Sequence, residues 1–268
     1  MRLLIHLSAD NNIIPFNYYY HLASALYKLL NLGSPQFSGF LHSTGYKLNG
    51  KTYKLFSFAL RFGGIVAGKE GIRLLQPELK LYVTFPVIPE FINSFAIGAL
   101  LSESLAIRDG NSTVNLQITS VETLPEAEFR ESNYFLLYSP IVLSTKKEIN
   151  GKASQYFYRY SDDIAELNRV FNANLKSKYQ LINNKQYTGD DVSFEWDNGY
   201  IINRTNASKK LTKKISFPIN GVRPIEIVGN EIPFTVTGNK ELIKIGYDCG
   251  FGERNSMGFG FAELLDKN

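Results

Sequence analysis

The pattern of apolar and polar residues predicts a strand at the start of the chain and a helix soon after it. Residues Arg2 to Ser8 have the apolar rhythm of a partly buried strand. Pro15 and Asn17 then give a helix start signal. The leucines that follow recur at helical spacing and share one face: Leu22, Leu26, Leu29 and Leu30. Gly33 is expected to end this helix.

The remainder of the first half continues in the same mixed pattern. Ser34 and Pro35 form a second start signal, so a short helix is predicted from Gln36 to about Ser43, and Gly45 is expected to end it. The later elements are strands Tyr53 to Phe62 and Leu79 to Pro86, a helix Glu90 to Glu103 after Pro89, and strands Ser104 to Ile107 and Val114 to Val121. The order β-α-β-β-α-β is that of a ferredoxin-like fold.

The second half repeats this order loosely. Its predicted elements are a strand Tyr134 to Tyr138, a helix Asp162 to Leu181, strands near Phe194 and at Ile215 to Ile219, Ile225 to Val228 and Phe234 to Thr237, a helix Asn239 to Tyr247 and a last strand Phe259 to Leu264. We therefore expect an α+β protein of two tandem ferredoxin-like (RRM-like) domains, residues 1–126 and 127–268. The boundary is placed in the polar stretch Thr123 to Asn133.

Composition narrows the class of protein. The chain is 44% hydrophobic and 20% charged, which excludes a disordered tail, and its net charge is only +4. The one cysteine, Cys249, cannot form an intramolecular disulfide and indicates a reducing compartment, so a cytoplasmic protein is expected. The N-terminus lacks the features of a signal peptide, and no apolar run approaches the ~18 residues of a membrane span.

The sharpest motif is a glycine-rich segment near the C-terminus, Gly250 to Gly260, with the sequence GFGERNSMGFG. Paired glycines permit positive φ and bring backbone amides close to another group, which suits phosphate contact. The segment lacks the Lys followed by Ser or Thr of a P-loop, and a strand rather than a helix is expected after it. A tight hairpin leading into the last strand is an equally good interpretation of the spacing alone.

With this segment, the sequence resembles the CRISPR repeat-processing endoribonucleases of the RAMP superfamily, whose C-terminal loop has the same Gly-hydrophobic-Gly, five residues, Gly-hydrophobic-Gly form. The segment Phe40-Leu41-His42 and the stretch beginning Tyr53-Lys54-Leu55 are similar to the family's N-terminal half. The resemblance implies two ferredoxin-like domains, RNA binding and metal-independent cleavage within the repeats of a CRISPR precursor transcript.

Cleavage of RNA by its own 2′-hydroxyl needs a base, a donor for the crowded phosphate and an acid for the departing 5′-oxygen. By position, His6 and His21 are expected to be structural. The resemblance places the family's catalytic tyrosine at Tyr27 and its catalytic histidine at His42. Tyr27 would then orient or deprotonate the 2′-hydroxyl and His42 would act as the acid, with the two roles open to exchange.

A lysine is expected to stabilise the phosphorane charge, and the neighbourhood offers three. Lys54 is favoured because it precedes the Leu-Phe-Ser-Phe strand, as the family's lysine does. Lys47 and Lys51 flank the turn Asn49-Gly50, where lysines are ordinarily solvated.

RNA binding is assigned to two further regions. Residues 200–224 contain only basic charges, and a basic hairpin at Ser208 to Pro218 would release counterions from an RNA backbone. Its cations are Arg204, Lys209, Lys210, Lys213, Lys214 and Arg223. The glycine-rich segment is assigned the remaining contacts, through Gly250, Gly252, Arg254, Asn255, Ser256, Gly258 and Gly260. The N-terminal domain would carry the catalytic residues and the C-terminal domain the RNA-binding elements.

Two other functions stay open. The chain could be a non-catalytic RAMP protein that binds repeat RNA or scaffolds an interference complex, or a ferredoxin-like protein that binds a small nucleotide through the glycine-rich segment. The expected partner is CRISPR repeat RNA, with other CRISPR-associated effector subunits as further candidates. No membrane partner, cofactor or metal is expected, and the chain would be a monomer or a homodimer.

Overall fold

The structure is a computed structural model that describes residues 1–109, 112–149, 151–219 and 222–265. By internal contacts the chain divides into two compact units. Unit 1 comprises Met1–Glu126 together with Ser256–Gly258, and unit 2 comprises Ala127–Asn255 together with the residues from Phe259 onward. The mixed α+β class and the two-domain organisation are confirmed. Within the described residues, no helix has the length and apolar content to span a membrane.

Unit 1 is built on a five-stranded antiparallel sheet. Its helices are α1 (Tyr18–Gly33), α2 (Pro35–Gly39) and α3 (Pro89–Leu101). Its strands are β1 (Arg2–Ala9), β2 (Ile13–Ile14), β3 (Tyr46–Leu48), β4 (Lys51–Tyr53), β5 (Ser57–Phe62), β6 (Ile65–Ala67), β7 (Ile72–Leu74), β8 (Glu78–Thr84), β9 (Ser104–Asp109) and β10 (Ser112–Thr123). The main sheet has the order β5-β8-β1-β10-β9, and β3 pairs with β4 as a separate hairpin.

The core of unit 1 follows from the strand period of two. In β8 the buried Leu79, Leu81 and Val83 alternate with more exposed neighbours, so one face of the sheet is apolar. The helices α1 and α3 pack tightly together because glycines bring their backbones close: a Cβ on Gly33 would lie 2.1 Å from the Ser94 carbonyl oxygen, and one on Gly98 2.1 Å from that of Leu29. Gly33 is the last residue of α1, as predicted. Glycine is required at this position because of the close packing against α3.

Unit 2 has a four-stranded antiparallel sheet with the order β14-β17-β11-β18, and two separate hairpins, β12 with β13 and β15 with β16. Its helices are α4 (Ile164–Asn183), α5 (Asn198–Asn206) and α6 (Lys240–Cys249). Its strands are β11 (Ser132–Leu137), β12 (Ser144–Ile149), β13 (Lys152–Phe157), β14 (Ser193–Trp196), β15 (Thr212–Ile219), β16 (Val222–Asn230), β17 (Phe234–Thr237) and β18 (Ala262–Leu265). Phenylalanine rings in mutual contact fill its core, with Phe135 stacked on Phe234 and Phe171 edge-on to Phe234.

Several elements differ from the sequence-based expectation. The strand predicted from Tyr53 to Phe62 is interrupted, because Leu55 takes a positive φ of 57° and only Ser57–Phe62 pairs with β8. The hairpin of β12 and β13 was not predicted. Helix α5 was also missed, although the Asp197 side chain accepts a hydrogen bond from the Tyr200 amide and so caps its start.

Candidate active site

Tyr27 lies on the third turn of α1, at the edge of the buried leucine face. Its side chain is half-buried, and its ring makes edge contacts with Phe56 at 5.7 Å and with the His42 imidazole at 5.5 Å between ring centres. The Ser38 hydroxyl on α2 donates a hydrogen bond of 3.1 Å to the Tyr27 carbonyl. These contacts fix α2 and the segment after it next to Tyr27.

His42 lies on an irregular turn that follows α2. The Ser34 hydroxyl accepts a hydrogen bond from the Phe37 amide and starts α2, as predicted. The backbone then widens into a π-helical turn at Phe40–Thr44, which ends at Gly45 with a φ of 60°. Such turns are rare and often lie at functional sites. This turn leaves the His42 side chain exposed beside Tyr27.

Lys54 approaches the same turn from the other side. Its ammonium donates hydrogen bonds to the carbonyl oxygens of Leu41 and of His42, the latter at 3.1 Å. The positive φ of Leu55, which is costly for a branched residue, directs the chain at this point. Tyr27, His42 and Lys54 are therefore brought together, whereas Lys47 and Lys51 lie exposed on the hairpin of β3 and β4.

The protonation of these groups limits what they can do. Burial raises the pKa of Tyr27 to about 12, although a hydrogen bond with the Ser256 side chain opposes the rise. Its phenol is therefore protonated at neutral pH and can donate a hydrogen bond or a proton, but it is not a resting base. Burial lowers the pKa of the Lys54 ammonium from its ordinary value. An ammonium has three protons, and carbonyls take two of those on Lys54.

The other two histidines lie against carboxylates. The Nε2 atom of His6 is 2.7 Å from an oxygen of Glu122, and that of His21 is 4.0 Å from an oxygen of Asp109. Burial lowers the pKa of His21. In the described part of the chain, no group of three His, Cys, Asp or Glu side chains is arranged to hold a metal ion.

The glycines of the glycine-rich segment are buried. Close contacts with other parts of the protein explain why these positions require glycine. A Cβ on Gly252 would lie 2.4 Å from the Val142 carbonyl oxygen, and one on Gly260 1.9 Å from that of Phe251. The Gly260 amide already donates to the Pro140 carbonyl at 2.8 Å, so it is not available to a phosphate. Gly250, Gly258 and Asn255 are likewise buried, whereas Arg254 and Ser256 keep partial exposure.

The predicted basic hairpin is only partly a hairpin, and some of its charge is neutralised. Arg204 lies on α5 and donates to the Lys210 carbonyl, while Lys209 and Lys210 are exposed in the loop that follows. On β15, Lys213 is 4.0 Å from Glu231, and Lys214 is 2.9 Å from Glu226. Glu226 lies on β16, and Glu231 is the residue that follows this strand. The Arg223 and Pro218 side chains lie outside the described residues.

Comparisons with known proteins identify the family of this chain. A family model described as "CRISPR associated protein Cas6, C-terminal" matches residues 124–264, more than half of the chain, and a model described as "CRISPR-associated protein Cas6, N-terminal" matches residues 13–116. The chain belongs to the Cas6 family. This confirms the resemblance to CRISPR-associated RAMP endoribonucleases.

The relatives of this Cas6 chain match along its whole length. It is 32% identical to the "CRISPR-associated endoribonuclease Cas6 1" of Methanocaldococcus jannaschii, over 100% of this chain and 94% of the relative. It is 27% identical to a Pyrococcus furiosus protein named as endoribonuclease-like, over 96% and 95%. A solved structure titled "CRISPR associated protein Cas6" aligns with a TM-score of 0.74 and 29% identity, covering 99% of both chains.

Sequence reasoning missed several residues that hold the candidate site of unit 1 or the glycine-rich segment. Ser38 and Phe56, which hold the surroundings of Tyr27, carried no functional signal. The largest omission is Lys178, whose side chain is fully buried beneath the glycine-rich segment. A signal was present, because Lys178 follows Leu175 by three residues and so falls on the apolar face of α4.

Proposed function

We propose that this chain is a metal-independent endoribonuclease that cleaves CRISPR precursor RNA within its repeats. In the reaction, the 2′-oxygen forms a bond to the adjacent phosphorus as its proton leaves, and the bond from phosphorus to the 5′-oxygen breaks as that oxygen gains a proton. The products are a 2′,3′-cyclic phosphate, which can open to a 3′-phosphate, and a 5′-hydroxyl. Membership of the Cas6 family supports this reaction class.

The observation that carries the proposal is the convergence of Tyr27, His42 and Lys54 in unit 1. A phenol, an imidazole and an ammonium are the three kinds of group that the reaction needs. They come from α1, from the turn after α2 and from the interrupted strand, and carbonyl contacts and ring contacts hold them together. Neither Lys47 nor Lys51 has this placement, which favours Lys54 as the lysine of the site.

The protonated state of the Tyr27 phenol favours orienting the 2′-hydroxyl over deprotonating it. With a pKa of about 12, Tyr27 orients the 2′-hydroxyl by a hydrogen bond rather than deprotonating it at rest. The proton of the 2′-hydroxyl passes to solvent, and His42 as the acid gives a proton to the departing 5′-oxygen. Should the roles be exchanged, Tyr27 would donate the proton to the 5′-oxygen. The remaining proton of the Lys54 ammonium would then form a hydrogen bond with the phosphorane.

We also propose that both units are ferredoxin-like domains, residues 1–126 with the catalytic groups and residues 127–268 with the RNA-binding elements. The topology supports this. In unit 2 the chain order β11-α4-β14-β17-α6-β18 gives the sheet order β14-β17-β11-β18, that is second, third, first, fourth. In unit 1 the strands β5-β8-β1-β10 are related in the same way to α1 and α3.

RNA contact is assigned to the exposed part of the two predicted regions in unit 2. Lys209 and Lys210 are solvated cations, and Arg254 is partly exposed. Lys213 and Lys214 carry ion pairs, so they contribute less attraction for an anionic backbone than the sequence suggested.

The test uses repeat RNA with a single 2′-deoxy substitution at the cleavage position. We expect wild-type protein to cut the all-ribose repeat at one site in EDTA, and to bind the deoxy repeat with similar affinity while cutting it at least 10³-fold more slowly, since only the nucleophile is removed. Cleavage of the deoxy repeat, or loss of cutting in EDTA, would overturn the mechanism.

A second function, a repeat-RNA-binding or scaffold protein without turnover, has one observation in its favour. Some relatives carry names such as "CRISPR-associated endoribonuclease-like protein Cas6" rather than endoribonuclease. In that case wild-type protein would bind both the ribose and the deoxy repeat and cut neither.

A further inference from the structure

The glycine-rich segment is folded around a single buried cation, Lys178. This residue is 1% exposed and lies on the face of α4 that also carries the buried Leu167, Phe171 and Leu175. A lysine in such a place is unusual, because an ammonium loses its hydration on burial and needs full replacement by hydrogen bonds.

The segment supplies that replacement in full. The Lys178 Nζ atom donates to the Gly250 carbonyl at 2.6 Å, to the Gly252 carbonyl at 2.8 Å and to the Asn255 Oδ1 atom at 2.8 Å. Three protons of an ammonium meet three acceptors, so a neutral amine would leave one acceptor unsatisfied. Burial lowers the pKa of Lys178 to about 8, which still leaves the group largely charged at neutral pH.

A second layer of bonds fixes the acceptors themselves. The Asn255 side-chain amide donates to the carbonyls of Phe251 at 3.1 Å and Phe259 at 3.0 Å. The Glu253 amide donates to the Val142 carbonyl, and its carboxylate accepts from the Ser144 hydroxyl. Lys178 thus joins both ends of the short stretch Glu253-Arg254, and Arg254 between them has a strained φ of 61°.

We propose that Lys178 is a positioning residue that fixes the backbone of the glycine-rich segment and so presents Arg254 to an RNA phosphate. The inference rests on the proposed function, because it assumes that Arg254 binds the repeat. Lys178 cannot touch RNA itself, since its side chain has no access to solvent. Its effect on RNA binding must therefore pass through the segment.

The test is the salt dependence of RNA binding, measured with repeat RNA that carries a 2′-deoxy residue at the cut position. Each phosphate contact contributes about 0.7 for a single strand, or about 0.9 for a duplex, to the slope of log Kd against log salt concentration. We expect Arg254→Ala to lower that slope by about one contact, and Lys178→Met to lower it equally although Lys178 is buried. In the double variant the two losses should not add.

The matched control is Lys176→Met, on the same helix. Lys176 is partly exposed and pairs with Asp191 at 2.5 Å, so this change removes a lysine of α4 without touching the segment. Its slope should equal that of wild type. Amide hydrogen exchange should accelerate at residues 250–256 in Lys178→Met and not in Lys176→Met.

The alternatives are separable. An unchanged slope for folded Lys178→Met, or additive losses in the double variant, would overturn the inference. An unchanged slope for Arg254→Ala would overturn it as well, whereas failure of the proposed function is seen separately, as absence of cutting by wild type. Should Lys178→Met fail to fold, Lys178→Gln, which keeps two donors, replaces it and should show the same change in slope to a smaller degree.

Discussion

Two lysines in this protein make similar hydrogen bonds but differ in burial, and this difference distinguishes a proposed catalytic role from a positioning role. Lys54 in unit 1 and Lys178 in unit 2 both donate to backbone carbonyls of an irregular segment. Lys178 is fully buried, and all three of its protons are used. Lys54 is only partly buried, and carbonyls account for two of its protons. Lys54 therefore keeps one donor for the proposed contact with the phosphate, while Lys178 has none left for a ligand.

The two segments also differ in the residues that take positive φ angles. Around Lys178, most of the positive φ angles fall on glycines, at Gly250, Gly252 and Gly260, and Arg254 is the non-glycine residue of the segment that takes one. Beside Lys54, the branched Leu55 takes a φ of 57°, which costs roughly 1–3 kcal/mol. Backbone strain of this kind is typical of functional sites, which is consistent with the role proposed for the neighbouring Lys54.

The largest effect expected from this comparison is at Lys54. Replacing Lys54 by Ala should slow cleavage by roughly 10²- to 10³-fold, because it removes a donor for the phosphorane and frees the turn that carries His42. RNA affinity should change little. Single-turnover rates on ribose repeat RNA check this, and Lys51→Ala is the control that should cut within about twofold of wild type.

The pH dependence of cleavage tests whether the Lys54 ammonium takes part in the reaction. Because burial lowers the pKa of Lys54, its ammonium is lost at lower pH than that of an ordinary lysine, so cleavage should fall on the alkaline side earlier than a free lysine predicts. Lys54→Arg, if active, should move that fall to higher pH, since a guanidinium stays charged. An alkaline limb in the same place for Lys54→Arg and wild type would contradict the assignment.

A smaller effect is expected at Tyr27. Its phenol orients the 2′-hydroxyl without deprotonation, so Tyr27→Phe should reduce the cleavage rate by about 10- to 100-fold and leave Kd for the deoxy repeat unchanged. The Tyr27 resonance of the free protein should titrate near pH 12. A titration near 9 would instead support a base role for Tyr27.

Part of this arrangement could be predicted from the sequence. The leucine spacing of α1 placed Tyr27 at the edge of the core, and Ser34-Pro35 located the start of the short helix, although α2 ends at Gly39 and His42 lies on the π-helical turn after it. These are local signals, and they were confirmed. The roles of the two residues came from the family resemblance and stay a prediction.

The rest depends on contacts that sequence spacing does not show. Lys178 and Gly250 are 72 residues apart, so nothing near the glycines indicated the cation at their centre. The carboxylates that pair with Lys213 and Lys214 come from the neighbouring strand and the residue after it, outside the stretch that looked purely basic. The positive φ of Leu55 was not predictable because leucine rarely adopts it.

The central claim is that unit 1 carries a reactive histidine, and it is tested most directly by wild-type protein and His42→Ala side by side. Both are incubated with labelled repeat RNA in EDTA, and binding and cleavage are resolved separately. The account predicts site-specific cutting by wild type, and binding of similar strength with cutting reduced by roughly 10²- to 10⁴-fold in the variant. Equal cutting by both proteins, or binding without cutting by either, would contradict it.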